Sequence, residues 1–329
     1  MSVINNHLLD LVIKQTGAHT VTSHEVIQTL WSGYGEIIRL SLQGAAMSSV
    51  IVKYVSLPER VNHPRGWNTD RSHKRKVKSY AVEKNWYRDW SHRCSDACRV
   101  AACYGSLTSE QETIIIIEDL DDAGFPLRKS ELNISQVRQC LQWLAVFHAT
   151  FMGETPQGLW QRGSYWHLAT RPDEWGAMAE GSLKDMAGLI DERLNSCRYQ
   201  TVIHGDTKLA NFCFAHDAAG VAAVDFQYVG GGCGMKDVAY FLGSCLEESA
   251  CEQWQDELLD YYFSVLKDVL IEEKKDVDWP ALEAEWRFMF PFAWVDFYRF
   301  LLGWMPGHWK VNEYSRRLSG QVLGQLQAI

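Results

Sequence analysis

The chain has 329 residues, 47% hydrophobic and 22% charged, which suits one large or two ordinary domains with a real core and leaves no long disordered stretch. A formal net charge of −9 argues against nucleic acid as a partner, because phosphate contacts need clustered Lys and Arg. The 9 cysteines, an odd number without a CxxC pair, read as free thiols of a reducing compartment and not as a zinc site. The start, MSVINNHLLD, lacks the cationic segment and long apolar core of a secretory signal. Apolar runs such as Ile114 to Ile117 are too short to span a bilayer, so a cytoplasmic protein with no membrane contact is expected.

The first third reads as strands and turns. EVIQTLW and EIIRLSL flank Ser32-Gly33-Tyr34-Gly35, a hairpin with a glycine-bearing turn. SSVIVKYVS is a third strand and carries Lys53. Pro58 to Asn68, with its Pro, Gly and Asn, reads as a loop. From about Asp70 the period changes, and Val77, Tyr80, Ala81, Trp86, Tyr87 and Trp90 predict a helix containing Glu83. The basic run from Arg71 to Lys78 at its start reads as a solvated face. RVAACYGSL and ETIIIIEDL supply two more strands, completing a compact α+β unit of five strands and one helix.

After Asp119-Leu120 the character turns helical. Val137, Leu141, Leu144, Ala145, Phe147 and His148 predict a buried helix over Ser135 to Met152, and LKDMAGLIDERL predicts another. TVIH, NFCF and VAAVDF interrupt as short strands, and helices run from about Lys236 to the end. The expected boundary lies near Glu118 to Asp121. It divides a small strand-rich lobe, residues 1–119, from a larger helical lobe, residues 120–329, with a ligand expected in the cleft between them.

Chemistry-bearing residues fall in a fixed order: the turn with Gly33 and Gly35, Lys53 in a strand, Glu83 in the next helix, Asp206 and Asn211 in HGDTKLAN, then Asp225-Phe226-Gln227. That is the order of the kinase signature elements, although the third glycine of the protein-kinase loop is missing. Each part has a physical reason. Phosphates carry several negative charges, so their transfer needs cations and donors placed around them. A glycine turn brings backbone N–H groups close to phosphate. Lys53 would place a point charge on the α and β phosphates of ATP, and Glu83 would hold that ammonium. Asn211 and Asp225 offer the hard oxygens that Mg²⁺ takes. Asp206 would accept or orient the proton of an attacking hydroxyl.

HGDTKLAN followed by VAAVDFQ resembles the aminoglycoside phosphotransferase and choline kinase group, protein-kinase-like folds in which HGD replaces HRD. A closer resemblance is to the ecdysteroid-kinase-like family. It is carried by SYAVEKNWY, IIIIEDLDDAGF, LQWLAVFHA, VIHGDTKLANFCF, VDFQ and KDVAYFLGS, spread over residues 79–244. The resemblance implies a two-lobed protein-kinase-like α+β fold, with an antiparallel-sheet N-terminal lobe and a mainly helical C-terminal lobe. It implies Asp206 as catalytic base, Asn211 and Asp225 as metal ligands, and Lys53 with Glu83 as the ATP-positioning pair. Glu118 to Leu120 would be the hinge whose backbone meets adenine. Asp237 would brace the catalytic loop, or serve only as a carboxylate at a helix N-terminus. His204 would make a structural hydrogen bond. DFQ in place of DFG, and the lack of an APE segment, argue against a protein kinase. Lys208 departs from the family's usual aromatic residue or His. It either reaches the γ-phosphate as a second catalytic residue or packs its stem with its head in solvent.

Residues 283–309, EAEWRFMFPFAWVDFYRFLLGWMPGHW, are apolar nearly all round, the mark of a buried helix that Pro291 should start or kink. The segment reads either as core or as a substrate pocket walled by Trp294, Phe297, Tyr298 and Trp304. Asp296 and Arg299, three apart, should pair with each other or with substrate. Aromatic walls suit a flat hydrophobic alcohol or a quaternary ammonium better than a polycationic aminoglycoside. The resulting expectation is a small-molecule kinase moving the γ-phosphoryl group of ATP, with Mg²⁺, to a substrate hydroxyl. A nucleotide-binding pseudokinase is one alternative. A metal-dependent phosphohydrolase using His204, Asp206 and Asp225 is another, but it leaves Lys53 and the glycine turn without a task.

Overall fold

The computed structural model describes residues 4–30, 33–56, 70–109, 112–216 and 220–327. The expected loop over Pro58 to Asn68, and Ser32 of the glycine turn, lie outside the described residues. The elements begin with α1 (Asn6–Thr16), β1 (Thr20–Thr29), β2 (Gly35–Gln43), β3 (Ser49–Ser56) and α2 (Asp70–Asp89). Then come β4 (Arg99–Val100), β5 (Cys103–Thr108), β6 (Glu112–Glu118), α3 (Ile134–Thr150), α4 (Pro172–Ala177), α5 (Ser182–Asp185) and α6 (Ala187–Asn195). The chain continues with β7 (Thr201–Ile203), β8 (Phe212–Phe214), β9 (Val221–Ala223), β10 (Gly230–Gly232), α7 (Met235–Cys245), α8 (Glu248–Glu272), α9 (Trp279–Trp304) and α10 (Glu313–Gln327). The fold is α+β. It has two compact units, one formed by 1–127 with 213–227, the other by 128–212 with 228–329.

The first unit is built on an antiparallel sheet in the order β1-β2-β3-β6-β5. Strand alternation sorts its side chains. Ile38, Leu40 and Leu42 of β2, Val50 and Val52 of β3, and Ile114 and Ile116 of β6 share one core with Leu8 and Val12 of α1. Val55, in step with Lys53 on the other face of β3, packs with Leu30, Tyr34 and Tyr80 of α2. Lys53 therefore points to the α2 side. In α2, Tyr80, Glu83, Trp86 and Tyr87 are buried at helical spacing, which carries Glu83 inside with the apolar stripe. Strand β9 runs parallel to β4, pairing Ala222 with Arg99 and Ala223 with Val100, so Asp225 follows directly from this unit's packing.

Helix α1 is absent from the strands-and-turns reading of the first third. Its signals were short but present: the Asn5 side chain accepts from Leu8 N, and Gly17 closes the helix at φ 72°.

The second unit is mainly helical. Asn133 and Gln136 form a capping box that starts α3, which packs on α8. Helix α9 is the central element, contacting α7, α4, α6 and α10. Every residue from Met289 to Leu301 in it is buried. It begins at the Asp278 cap and runs through Pro291, so Pro291 does not start it. LKDMAGLIDERL forms two helices, α5 and α6, parted at Met186. Among the described residues, no helix is long and apolar enough to cross a membrane.

Candidate active site

In the first unit, Lys53 Nζ donates to Glu83 Oε2 at 2.6 Å and lies 3.6 Å from Asp225 Oδ1. Lys53 is only 6% exposed and Glu83 2%. Burial alone would push the Lys53 ammonium down, but Glu83 and Asp225 together outweigh it and hold the lysine above its usual range. Asp225 sits at φ 69°, a left-handed backbone that Asp tolerates better than most residues. Phe226 after it stacks on Trp86, ring centroids 4.5 Å apart.

Gln227, where protein kinases have glycine, acts as a tether. Its Nε2 donates to Asp225 Oδ1 at 2.7 Å, while its Oε1 accepts from Lys76 Nζ at 3.0 Å and Ser79 Oγ at 3.3 Å. Helix α2 thus holds Asp225 from two sides, through Glu83–Lys53 and through Gln227. Lys76 belongs to the run expected to be a solvated face, and its head group has this partner instead.

The glycine turn closes the expected hairpin between β1 and β2. Gly33 N–H donates to Leu30 O at 3.2 Å, and Leu30 N–H to Gly35 O at 2.7 Å, so the Gly33 donor serves the hairpin. Gly35 is needed by the neighbouring strand, since a Cβ there would lie 2.0 Å from Tyr54 O. In the expected hinge, the Glu118 carboxylate accepts from Arg99 Nη2 at 2.6 Å, and Leu120 O accepts from Phe125 N at 2.8 Å. Between them Asp119 accepts from Arg39 Nε at 2.6 Å and Ser49 Oγ at 2.7 Å, and Arg39 also pairs with Asp121. Burial would raise the Asp119 carboxyl, but the Arg39 and Ser49 bonds overcome it and hold it below the usual carboxylate range. Sequence reasoning missed Arg39, because its partners lie 80 and 82 residues away.

In the second unit, β7 pairs with β10 and delivers His204, Gly205 and Asp206. Asp237, fully buried in the first turn of α7, accepts from His204 N at 2.6 Å, Gly205 N at 2.9 Å and His148 Nε2 at 3.2 Å. Its backbone carbonyl accepts from Thr207 Oγ1 at 2.9 Å. Asp237 is therefore both things the sequence left open, a helix N-terminal carboxylate and a brace for the loop. Gly205, at φ 79°, lets the chain pass Tyr228 O, which a Cβ would approach to 2.3 Å. The His204 ring is fully buried and accepts from Asp206 N at 3.2 Å through Nδ1. Asn211 Nδ2 donates to Asp206 O at 2.7 Å, which leaves Oδ1 as the hard oxygen of that side chain. Lys208 Nζ donates to Asp206 Oδ2 at 2.9 Å, with 41% of its side chain exposed.

Residues 62–154 and 168–274 match the ecdysteroid kinase-like family, more than half of the chain. The chain belongs to that family. This ecdysteroid kinase-like protein also shares its fold with a microcompartment-associated aminopropanol kinase, at TM-score 0.51 and 14% identity over 94% of this chain and 93% of that one. Weaker structural likenesses include a type VIII aminoglycoside-3'-phosphotransferase, TM-score 0.44 and 16% identity over 88% of this chain and 100% of that one. Another is a Streptomyces rimosus aminoglycoside phosphotransferase in complex with ADP and streptomycin, TM-score 0.45 and 13% identity over 88% of this chain and 98% of that one. No curated protein matches.

The substrate pocket expected from the aromatic run of residues 283–309 needs correcting in part. Asp296 and Arg299 are fully buried and are bound to each other at 2.7 Å. Trp166 Nε1 donates to Asp296 at 3.0 Å, Lys236 lies 3.4 Å from it, and Arg299 donates to Trp166 O at 3.1 Å. The pair is consumed inside the helix packing and does not face a ligand. Trp294 is likewise turned inward, donating to Ser315 Oγ at 3.0 Å, and Tyr298 is buried. Phe297 and Trp304 do join an aromatic cluster, with Tyr165, Trp166, Tyr240 and Phe300. Tyr240 is the residue the sequence did not single out. Its hydroxyl donates to that of Tyr165 at 3.2 Å, and Tyr165 N–H donates to Gly205 O at 3.2 Å, next to Asp206.

Proposed function

We propose that this protein is an ATP- and Mg²⁺-dependent kinase that transfers the γ-phosphoryl group to a hydroxyl of a small molecule. The observation that carries the reading is the buried Lys53–Glu83 pair with Asp225 beside the same ammonium. A buried ion pair adds little net stability, because desolvation offsets its attraction. Its retention beside a partly exposed carboxylate fits a residue kept for binding phosphate. Family membership supports the same reading.

The residues fit the implied groups by donor type. Asn211 Oδ1 and the Asp225 carboxylate are hard oxygens of the kind Mg²⁺ takes, and few are needed because Mg²⁺ keeps waters and uses phosphate oxygens. When bound, the metal would neutralise charge on the phosphates. Lys53 would hold the nucleotide phosphates, with its position set by Glu83. Asp206 would orient the acceptor hydroxyl and take its proton, steadied through its backbone by Asn211 and through its carboxylate by Lys208. Most of the rate gain would come from this positioning and charge placement.

The test is Asp206→Asn against a library of hydroxyl compounds, followed by ATP consumption and by thermal shift with Mg·ATP. The variant should keep nucleotide binding and lose turnover. Unchanged turnover would overturn the reading. So would release of phosphate from a monoester without ATP, which favours a hydrolase.

A further inference from the structure

An ammonium of the chain's own occupies an aromatic cage in the second unit. Lys310 Nζ lies 5.2 Å from the ring centroid of Tyr240, 5.3 Å from Phe297 and 5.4 Å from Trp309. All three are within the ~6 Å over which a cation is drawn to an aromatic face. The rings help compensate this largely buried ammonium for leaving water. Burial lowers its ammonium to about 8, partly opposed by Cys245 and Asp206 and reinforced by Lys208. The cage is not a remote core feature. Tyr240 forms one wall and donates to Tyr165 OH, whose own N–H donates to Gly205 O next to Asp206, while Trp309, 55% exposed, forms another wall toward solvent. Three aromatic faces around one positive charge make the arrangement by which proteins recognise substituted ammonium ligands.

We propose that Lys310 is a specificity-determining residue of the acceptor side: its tethered ammonium fills the aromatic cage beside Asp206 and closes it to cationic acceptors. This rests on the kinase reading with Asp206 at the transfer site. It reverses one expectation from the aromatic residues alone. A quaternary ammonium suits such walls, but here the chain supplies the cation itself, and Lys208 adds a second positive charge near the same carboxylate. An incoming cation would have to displace Lys310 and meet its repulsion.

The experiment vacates the cage. Wild type, Lys310→Ala, Lys310→Ser and Lys310→Arg are titrated with tetramethylammonium chloride against a matched sodium chloride control, by calorimetry and ligand-observed NMR. Circular dichroism checks each fold, and either folded short-side-chain variant decides the matter. The short variants should bind the probe about tenfold more tightly than wild type, the gain expected from one to two kcal/mol of cation–π attraction. Lys310→Arg should behave as wild type, and adding Trp309→Ala to Lys310→Ala should remove the gain. Equal binding by wild type and the folded short variants would overturn the proposal, as would a gain in Lys310→Arg. The readout needs no turnover, so an inactive protein would defeat the kinase reading without deciding the cage. Where turnover is found, the KM of amino alcohols should fall about tenfold in Lys310→Ala, with neutral alcohols changed little.

Discussion

Replacing Asp237 with Asn changes one atom and removes one charge at the point where the HGD loop is held. In the native protein two carboxylate oxygens serve two backbone donors, His204 N at 2.6 Å and Gly205 N at 2.9 Å, with His148 Nε2 also on Oδ2 at 3.2 Å. An amide has one oxygen. If that oxygen keeps His204 and His148, the amide NH₂ must face the Gly205 N–H, donor against donor. The loss of one charge-assisted bond costs about 1.5–3 kcal/mol, and the stranded buried N–H about 1–3 kcal/mol more. A total of about 2.5–6 kcal/mol is a large share of the ~5–15 kcal/mol that holds a typical native protein together. The repelled Gly205 would also shift Asp206 next to it, and a misplacement of about 1 Å lowers turnover about 100-fold. Urea unfolding of wild type and Asp237→Asn, monitored by circular dichroism, measures the first effect, and ATP turnover the second. A stability loss under about 1 kcal/mol at unchanged m-value would refute the brace, because no buried donor would then have been stranded.

Glu83→Gln should leave the fold intact and lower kcat/KM for ATP about 100-fold, since Lys53 loses its anchoring charge while Asp225 remains near; steady-state kinetics checks this. Asp296→Ala should destabilise the protein by about 3–5 kcal/mol, because Arg299 and Lys236 would stay buried without their shared anion, while the KM for the acceptor in any surviving folded enzyme stays the same. Acid stability should follow Asp119 and Asp296. Burial opposes ionisation of both carboxyls, yet Arg39 at Asp119 and Arg299 with Lys236 at Asp296 hold them below the usual range. A depressed folded value means that their contribution is present above the unfolded pKa of about 4 and is lost as pH falls through the folded value. Melting temperature against pH should therefore drop below about pH 4, less steeply in Asp119→Asn.

The order of strands and helices was largely legible because period is local. Alternation in SSVIVKYVS and helical spacing from Val77 to Trp90 need no distant partner to be seen. Helix α1 escaped because eleven residues with two buried positions make a weak pattern, and its two caps had to be weighed together. The passage of α9 through Pro291 goes with its packing on α7, α4, α6 and α10, where tertiary contacts override local preference.

By itself the sequence determined the α+β class, the family, and the polar residues that stand out between apolar runs: Lys53, Glu83, Asp206, Asn211 and Asp225. Residue type and spacing along one chain are enough for that. Only the tertiary structure decided which charges are spent and which are presented. Asp296 and Arg299 look like a ligand pair in sequence, but buried charges must be compensated where they lie, and these compensate each other. Arg39 and Gln227 look ordinary, yet each closes a network across many residues, Arg39 with Asp119 and Gln227 with Lys76. Lys310 shows the same principle at its plainest. Nothing in MPGHWK announces a caged cation, because the rings that hold it come from α7, α9 and the turn beside it, and only folding brings them around one ammonium.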